Sequence, residues 1–267
     1  MQLQASLDQY RKQGLGVAAI SYDSVEILKS FAERMHITFP LLSDKESATI
    51  KAFGILNRQT PADSAQYGIP HPGMYIVDPS GKIVARYFEE KYQERFTPDT
   101  ILTKQFGSGE AISEIKTEHL TLALSQSQIT ARPGNRITLI ADVTLPAKMH
   151  IYAPGVKGYS ATALNLDPSS SVQVHQTVFP KSQMLLLPAI QERVPVFERR
   201  VRVTRDITVL DSVRASSIEL TGTFDYQACD DTICYVPKKV PLKFDLNIEQ
   251  LDRQRVPEEM RRKAPKP

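Results

Sequence analysis

Two patterns of apolar and polar positions divide the chain. Over the first hundred residues the spacing is helical, broken by short apolar runs. Leu3, Leu7 and Tyr10 share one helical face, and Gly14 follows as a stop. Val17–Ser21 is an apolar run of strand length. Ser24 is placed to cap a helix whose Leu28, Phe31, Ala32 and Met35 fall at i, i+3, i+4 and i+7. Phe39–Asp44 reads as a short extended piece, and Ile50 and Phe53 as the inner face of a small helix ended by Gly54. After a long polar loop come Gly73–Asp78, a turn at Pro79–Lys82, and the strand Ile83–Phe88; Thr97 before Pro98 is a helix start. Helices and strands in that order predict an α/β layer arrangement.

From Glu118 onward the period changes to two. Leu120, Leu122 and Leu124 alternate with polar neighbours, as do Ile137, Leu139, Ala141 and Val143, and later Ile218, Leu220, Leu242, Phe244 and Leu246. Val172–Val174 and Val201–Val203 repeat the alternation on a shorter scale, with Pro, Gly, Ser and Asp between the runs. Many short strands with one wet face predict an all-β immunoglobulin-like sandwich. The expected organisation is an incomplete α/β domain at 1–107, a polar linker at 108–117, the sandwich at 118–249, and a charged, proline-terminated tail at 250–267.

The candidate chemistry lies in one stretch of the second pattern, Tyr226–Pro237, which holds both cysteines of the chain, Cys229 and Cys234. Alternating apolar runs flank it, so it reads as the connection of a β-hairpin. Such a turn brings the two positions towards the roughly 5.5 Å between Cα atoms that a disulfide requires. A redox-active thiol pair and a structural disulfide both fit. Closing so short a loop constrains the unfolded chain by only about 2 kcal/mol, which makes stability a weak reason for the pair. Zinc would need two further ligands, and no second Cys/His pair has suitable spacing, so neither a metal nor another cofactor is expected. In exchange chemistry the thiolate is the nucleophile. Asp225, Asp230 and Asp231 would oppose ionisation and Lys238 and Lys239 would favour it, and the sequence leaves the sign open.

Composition narrows the classes. No run approaches the roughly 20 apolar residues of a membrane helix. Basic residues exceed acidic ones by only three, without a basic block, so nucleic acid is not an expected partner. The first residues show neither a charged n-region nor an apolar h-region, hence no signal peptide.

Three motifs, Ser21-Tyr22-Asp23-Ser24, Phe39-Pro40-Leu41-Leu42-Ser43-Asp44 and His71-Pro72-Gly73-Met74-Tyr75-Ile76-Val77-Asp78-Pro79-Ser80-Gly81, resemble the AhpC/TSA peroxiredoxin-like branch of the thioredoxin fold. The resemblance implies that Pro72 is a cis-proline shaping a site, and that a reactive cysteine and its strand precede the first helix. This chain has no cysteine before Cys229. Met1 is therefore expected to be an internal methionine of a longer reading frame, in which case a periplasmic location stays open and peroxidase activity belongs to that parent alone. Phe224-Asp225-Tyr226-Gln227-Ala228-Cys229, Cys234-Tyr235-Val236-Pro237 and His150-Ile151-Tyr152-Ala153-Pro154 resemble the N-terminal domain of the thiol:disulfide interchange protein DsbD. That resemblance implies an immunoglobulin-like sandwich whose cysteine pair carries electrons between a partner domain and oxidised proteins. It makes Cys229 and Cys234 the catalytic pair, with Tyr226, Gln227 and Tyr235 shaping the site and a thioredoxin-like protein as exchange partner. The competing expectations are a non-enzymatic interaction module with an inert disulfide, or a fragment of a longer peroxiredoxin-like antioxidant protein.

Overall fold

The computed structural model describes residues 2–89, 91, 93–187, 191–251, 254 and 257–260. The chain divides into two compact units, Met1–Ile101 with Leu251–Pro267, and Leu102–Gln250.

The first unit is α/β and thioredoxin-like. Its elements are α1 (Gln2–Ala5), α2 (Leu7–Lys12), β1 (Ala19–Ser21), α3 (Val25–Arg34), β2 (Leu41–Ser43), α4 (Ala48–Ala52), β3 (Gly73–Val77), β4 (Ile83–Phe88) and β5 (Arg95–Phe96); α5 (Pro98–Phe106) carries the chain across the division. Capping explains the helix starts. The Ser24 side chain accepts from the Ile27 amide at 3.4 Å, and the Asp44 carboxylate accepts from the Thr49 and Ile50 amides at 3.2 and 2.8 Å. Thr97 caps α5 through the Thr100 amide at 3.1 Å, with Pro98 at the first helical position. β1 and β2 pair in parallel, and β3 and β4 pair antiparallel around a turn that Asp78 closes by accepting from the Ser80 and Lys82 amides. These are separate two-stranded ladders, and among the described residues no strand joins β1 to β3.

One expectation for this unit fails. There is no cis peptide bond among the described residues, so the bond preceding Pro72 is trans. Trans is favoured by about 0.5–1 kcal/mol even before proline, and cis persists where a tight turn imposes it. Pro72 instead leads directly into the extended β3.

The second unit is an all-β, immunoglobulin-like sandwich. Its strands are β6 (Glu110–Lys116), β7 (Thr121–Gln126), β8 (Thr130–Ala131), β9 (Asn135–Thr144), β10 (His150–Tyr152), β11 (Ala163–Leu166), β12 (Val172–Val178), β13 (Gln183–Leu187), β14 (Glu192–Glu198), β15 (Arg200–Val209), β16 (Ser217–Tyr226), β17 (Ala228–Cys229) and β18 (Lys238–Ile248). One sheet runs β12-β15-β9-β7-β6, a second β11-β16-β18-β8, and a third β13-β14-β10-β17. The alternation in the sequence becomes alternation in burial: along β18 every second residue from Val240 to Ile248 is buried. Leu122, Ile137, Val203, Phe224 and Phe244 meet in one continuous core.

Two further expectations are corrected here. The stretch 108–117, expected as a linker, is mostly strand: β6 pairs with β7 from Glu110 to Lys116. An edge strand keeps its charged residues in solvent, so its composition resembles that of a loop. The cysteines lie in the connection between β16 and β18, as the hairpin reading expects, but that connection is longer than a tight turn. Those strands pair from Ser217↔Asn247 to Tyr226↔Lys238, and the segment between them forms β17 of the third sheet. In the charged tail, the described residues include a short 3₁₀ turn at Glu258–Met260; 252–253, 255–256 and 261–267 lie outside the described residues.

Gly222 lies where β16 passes β11, and a Cβ there would fall on the Asn165 carbonyl and on the Leu166 backbone. Both obstacles are main chain, so neither can swing aside. Gly222→Ala is expected to lower stability by about 1–3 kcal/mol, read as a lower urea midpoint; an unchanged midpoint would refute that close approach.

Candidate redox site

β16 ends at Tyr226, a buried residue whose hydroxyl is 2.9 Å from Thr117 Oγ1. The chain then turns into β17, where Ala228 and Cys229 pair with Ile151 and His150 of β10. Asp230 closes the next turn. Its Oδ1 accepts from the Thr232 and Ile233 amides at 2.7 and 2.8 Å and from the Thr232 hydroxyl at 2.8 Å, and its Oδ2 accepts from the Tyr235 hydroxyl at 2.9 Å. Those bonds, led by the Thr232 amide, hold the Asp230 carboxyl well below the usual carboxylate range. The turn returns Cys234 opposite Cys229, and the two form a disulfide with Cα atoms 4.1 Å apart.

The two sulfurs occupy different surroundings. Cys229 is 1% exposed and packs in a small apolar cluster with Tyr152, Val194 and Val196. Cys234 is exposed, and so are its neighbours Ile233 and Val236 at 56% and 76%. The Tyr152 hydroxyl lies 3.2 Å from Cys229 Sγ and 3.3 Å from Cys234 Sγ. Neither sulfur of a disulfide carries a proton, so the hydroxyl is the donor. Burial, foremost, pushes the Tyr152 hydroxyl up to about 12, so it stays protonated through the neutral range. Tyr159 stacks on the Tyr152 ring at 4.2 Å.

Of the residues expected to shape this site, three are brought together. Gln227 ties the hairpin to the neighbouring loop, accepting from the Ser160 amide at 2.9 Å and donating to the Tyr235 carbonyl at 3.1 Å. Tyr235 packs on the buried His119 ring at 4.2 Å, and Tyr226 anchors the strand entering the hairpin. Pro72 is not among them: it lines a cavity of about 620 Å³ in the first unit with His71, Tyr75 and Phe88. Of the two lysines weighed as thiolate stabilisers, Lys239 faces a carboxylate. Lys239 is 3.6 Å from Asp225, and Lys148, which sequence reasoning did not single out, is 4.0 Å from Asp231.

Sequence reasoning also missed two residues, Tyr152 as the group touching both sulfurs and His150 as the strand partner of Cys229. The signal was the spacing in His150-Ile151-Tyr152, which places both side chains on one face of β10. His150 is 4% exposed, and its Nε2 has no hydrogen-bond partner. Burial, outweighing Glu198, Asp231 and Asp230, pushes its pKa below the ordinary histidine value. A histidine that protonates less readily when folded leaves stability unaffected above its unfolded pKa of about 6.5. Stability is then lost as pH falls from there towards the depressed folded value, because the unfolded chain binds the proton more readily. His150→Gln is therefore expected to lose less stability than the parent between about pH 7 and 5. Equal acid losses in paired urea titrations would count against a buried, neutral His150.

Among the described residues no cluster of three or more His, Cys, Asp or Glu side chains is arranged to hold a metal ion, and no helix is long and apolar enough to cross a membrane.

A thioredoxin-like α/β segment thus precedes an immunoglobulin-like sandwich that holds a cysteine disulfide. Residues 1–86 match the AhpC/TSA family, and residues 119–245 match the family described as thiol:disulfide interchange protein DsbD, N-terminal. The two matches lie one after the other along the chain and do not overlap. Among curated proteins it is similar to Peroxiredoxin Bcp of Escherichia coli strain K12, 33% identical over 81 residues, which is 30% of this chain and 51% of that protein. It is also similar to chloroplastic Peroxiredoxin Q of Sedum lineare, 30% identical over 97 residues, 36% of this chain and 48% of that protein. The chain spans about half the length of the curated relatives it matches. Among solved structures, the N-terminal periplasmic domain of ScsB from Proteus mirabilis aligns over 52% of each chain at 12% identity, with a TM-score of 0.38. The reduced N-terminal domain of DsbD from Neisseria meningitidis aligns over 41% of this chain and 75% of its own at 14% identity, with a TM-score of 0.25. The two family matches and the disulfide support a thiol–disulfide redox role.

Proposed function

We propose that the protein exchanges electrons with a thioredoxin-like partner through Cys229 and Cys234, with Cys234 as the sulfur that meets the partner and Cys229 as the one that resolves. The observation that carries this reading is the asymmetry of the disulfide, Cys234 being an exposed residue between apolar side chains and Cys229 a buried one. In the reduced protein the Cys234 thiolate attacks the partner's disulfide, giving a mixed disulfide and releasing one partner thiol. Cys229 then attacks Cys234 Sγ, the bond to the partner breaks, and the second partner thiol leaves. Two electrons pass from the pair to the partner, and the reverse sequence reduces the pair.

Tyr152 assists whichever sulfur carries charge, because its hydroxyl reaches both. A hydrogen bond to a charged group contributes about 1.5–3 kcal/mol, and about 1.4 kcal/mol is tenfold in rate. Tyr152→Phe is expected to slow exchange about tenfold or more while the disulfide still forms; an unchanged rate would remove Tyr152 from the site. Ile233 and Val236 supply apolar contact around Cys234 for a partner surface. Both cysteines of the given sequence lie in the sandwich, so the exchange chemistry is proposed for that unit.

The reading is tested by mixing the oxidised protein with a reduced thioredoxin-type donor and quenching with an alkylating reagent. Two alkylated cysteines within minutes are expected. A protein still unalkylated after hours, under conditions where a strong small-molecule reductant opens the bond, would point to a structural bridge.

A further inference from the structure

His150 has an unusual position for a buried imidazole. It sits on β10 between two strands, with Cys229 as its cross-strand partner on β17 and Glu198 on β14. Directly opposed residues of an antiparallel pair point to the same face with Cβ atoms about 4.5–5.5 Å apart. Tyr152, two residues on, shares that face; its ring lies edge-on to the imidazole at 5.6 Å while its hydroxyl touches both sulfurs. The charged groups facing His150 are Glu198 on β14 and Asp230 and Asp231 in the turn, the latter 4.0 Å from Lys148. A buried ring nitrogen without a partner costs free energy unless another state of the protein supplies one. In the disulfide no sulfur carries a proton to offer. Reduction creates a donor, the Cys229 thiol, on the same face.

We infer that His150 accepts the Cys229 proton during resolution of the mixed disulfide, a role that rests on the exchange reading above. The Cys229 S–H proton passes to His150 Nε2, and the thiolate attacks Cys234 Sγ. The Cys229–Cys234 bond forms as the Cys234–partner bond breaks, and the proton leaves His150 for the departing partner thiolate or for water. The neighbours fit the task less well. Tyr152 holds its proton up to about 12 and so serves as a donor. Asp230 has its oxygens occupied by Thr232, Ile233 and Tyr235 and is held in its charged form, which makes it a weak base. The apolar cluster around Cys229 disfavours spontaneous ionisation of the thiol, which is the condition under which a positioned base matters. Glu198, Asp230 and Asp231 then stabilise the imidazolium that forms.

The full-length reduced protein reacted with a nitrothiobenzoate disulfide separates the steps, because each releases one coloured thiolate and the chain has no other cysteine. The first release reports attack by Cys234 and the second reports resolution by Cys229. In the wild type the second phase is expected to gain rate as His150 deprotonates, with an inflection below the ordinary histidine value. In His150→Gln that inflection disappears and the phase follows the thiol's own ionisation, above the free-thiol value of about 8.5. At about pH 7 at most a few per cent of such a thiol is ionised, so the variant should resolve at least about tenfold more slowly. An unmoved profile and rate in His150→Gln would overturn the inference alone. A wild type that never releases the second thiolate would overturn the exchange reading and the inference with it. A readout on the wild type covers the case of a variant that fails to fold: on reduction at fixed pH the ring-nitrogen resonance of His150 should move while that of His36 stays in place, and an unmoved His150 resonance overturns the inference.

Discussion

Cys229→Ser is expected to accumulate a stable mixed disulfide between Cys234 and an exchange partner, whereas Cys234→Ser is expected to react about a thousandfold more slowly or not at all. The difference follows from access. Cys234 and its neighbours Ile233 and Val236 are exposed, so a partner sulfur can approach in line. Cys229 is 1% exposed beneath Tyr152 and paired through its backbone to β10, so an external sulfur reaches it only when β17 opens. If that opening costs about 4 kcal/mol, the reactive fraction is about one in a thousand. The trapped species follows from chemistry: once Cys234 is linked to the partner, only Cys229 is placed to displace it, and a serine hydroxyl is not a competent nucleophile against a disulfide at neutral pH. Non-reducing gels and intact mass measure both outcomes. Equal trapping by the two variants would contradict the assigned order of attack, and trapping by neither would favour an inert bridge.

The second large effect is on stability. Phe224 is fully buried near the end of β16, across from Leu164 on β11 and Val240 on β18, in the continuous core of the sandwich. Phe224→Ala removes the ring and leaves a cavity lined by side chains that strand pairing holds in place, so the core collapses only partly. The expected loss is about 3–5 kcal/mol. For a unit of this size that corresponds to a fall of roughly 6–20 °C in the melting temperature of the β-sheet signal. Phe224→Leu, which refills most of the space, should recover the larger part. A shift of less than about 2 °C for the alanine variant would mean that the sandwich core is not packed around this ring.

What the sequence revealed depended on whether a residue's role was written in its neighbours. The alternation in Ile218–Phe224 and Leu242–Leu246 is a local consequence of one buried face, and β16 and β18 pair with that face inward. The caps at Ser24 and Thr97 were legible for the same reason, because a cap acts on amides two or three residues away. The cysteine pair was legible because its members are near in sequence. The strand β6 was not, since an edge strand needs few apolar residues. The roles of His150 and Tyr152 were hidden for another reason: Tyr152 meets Cys234 across 82 residues of chain, and nothing beside either residue marks the other. Pro72 illustrates the opposite error. Its resemblance to a site proline suggested a cis bond, but peptide geometry is decided by the local turn, and here the chain runs straight into β3.

The central claim is that the Cys229–Cys234 disulfide is opened and closed in use rather than kept as a bridge. Its reduction potential, measured by equilibration against a thioredoxin-type couple of known potential, tests this most directly. The asymmetric exposure and the donor at both sulfurs predict a value above about −300 mV, within reach of a biological dithiol; a value clearly below about −300 mV, with no equilibration against that couple, would contradict it.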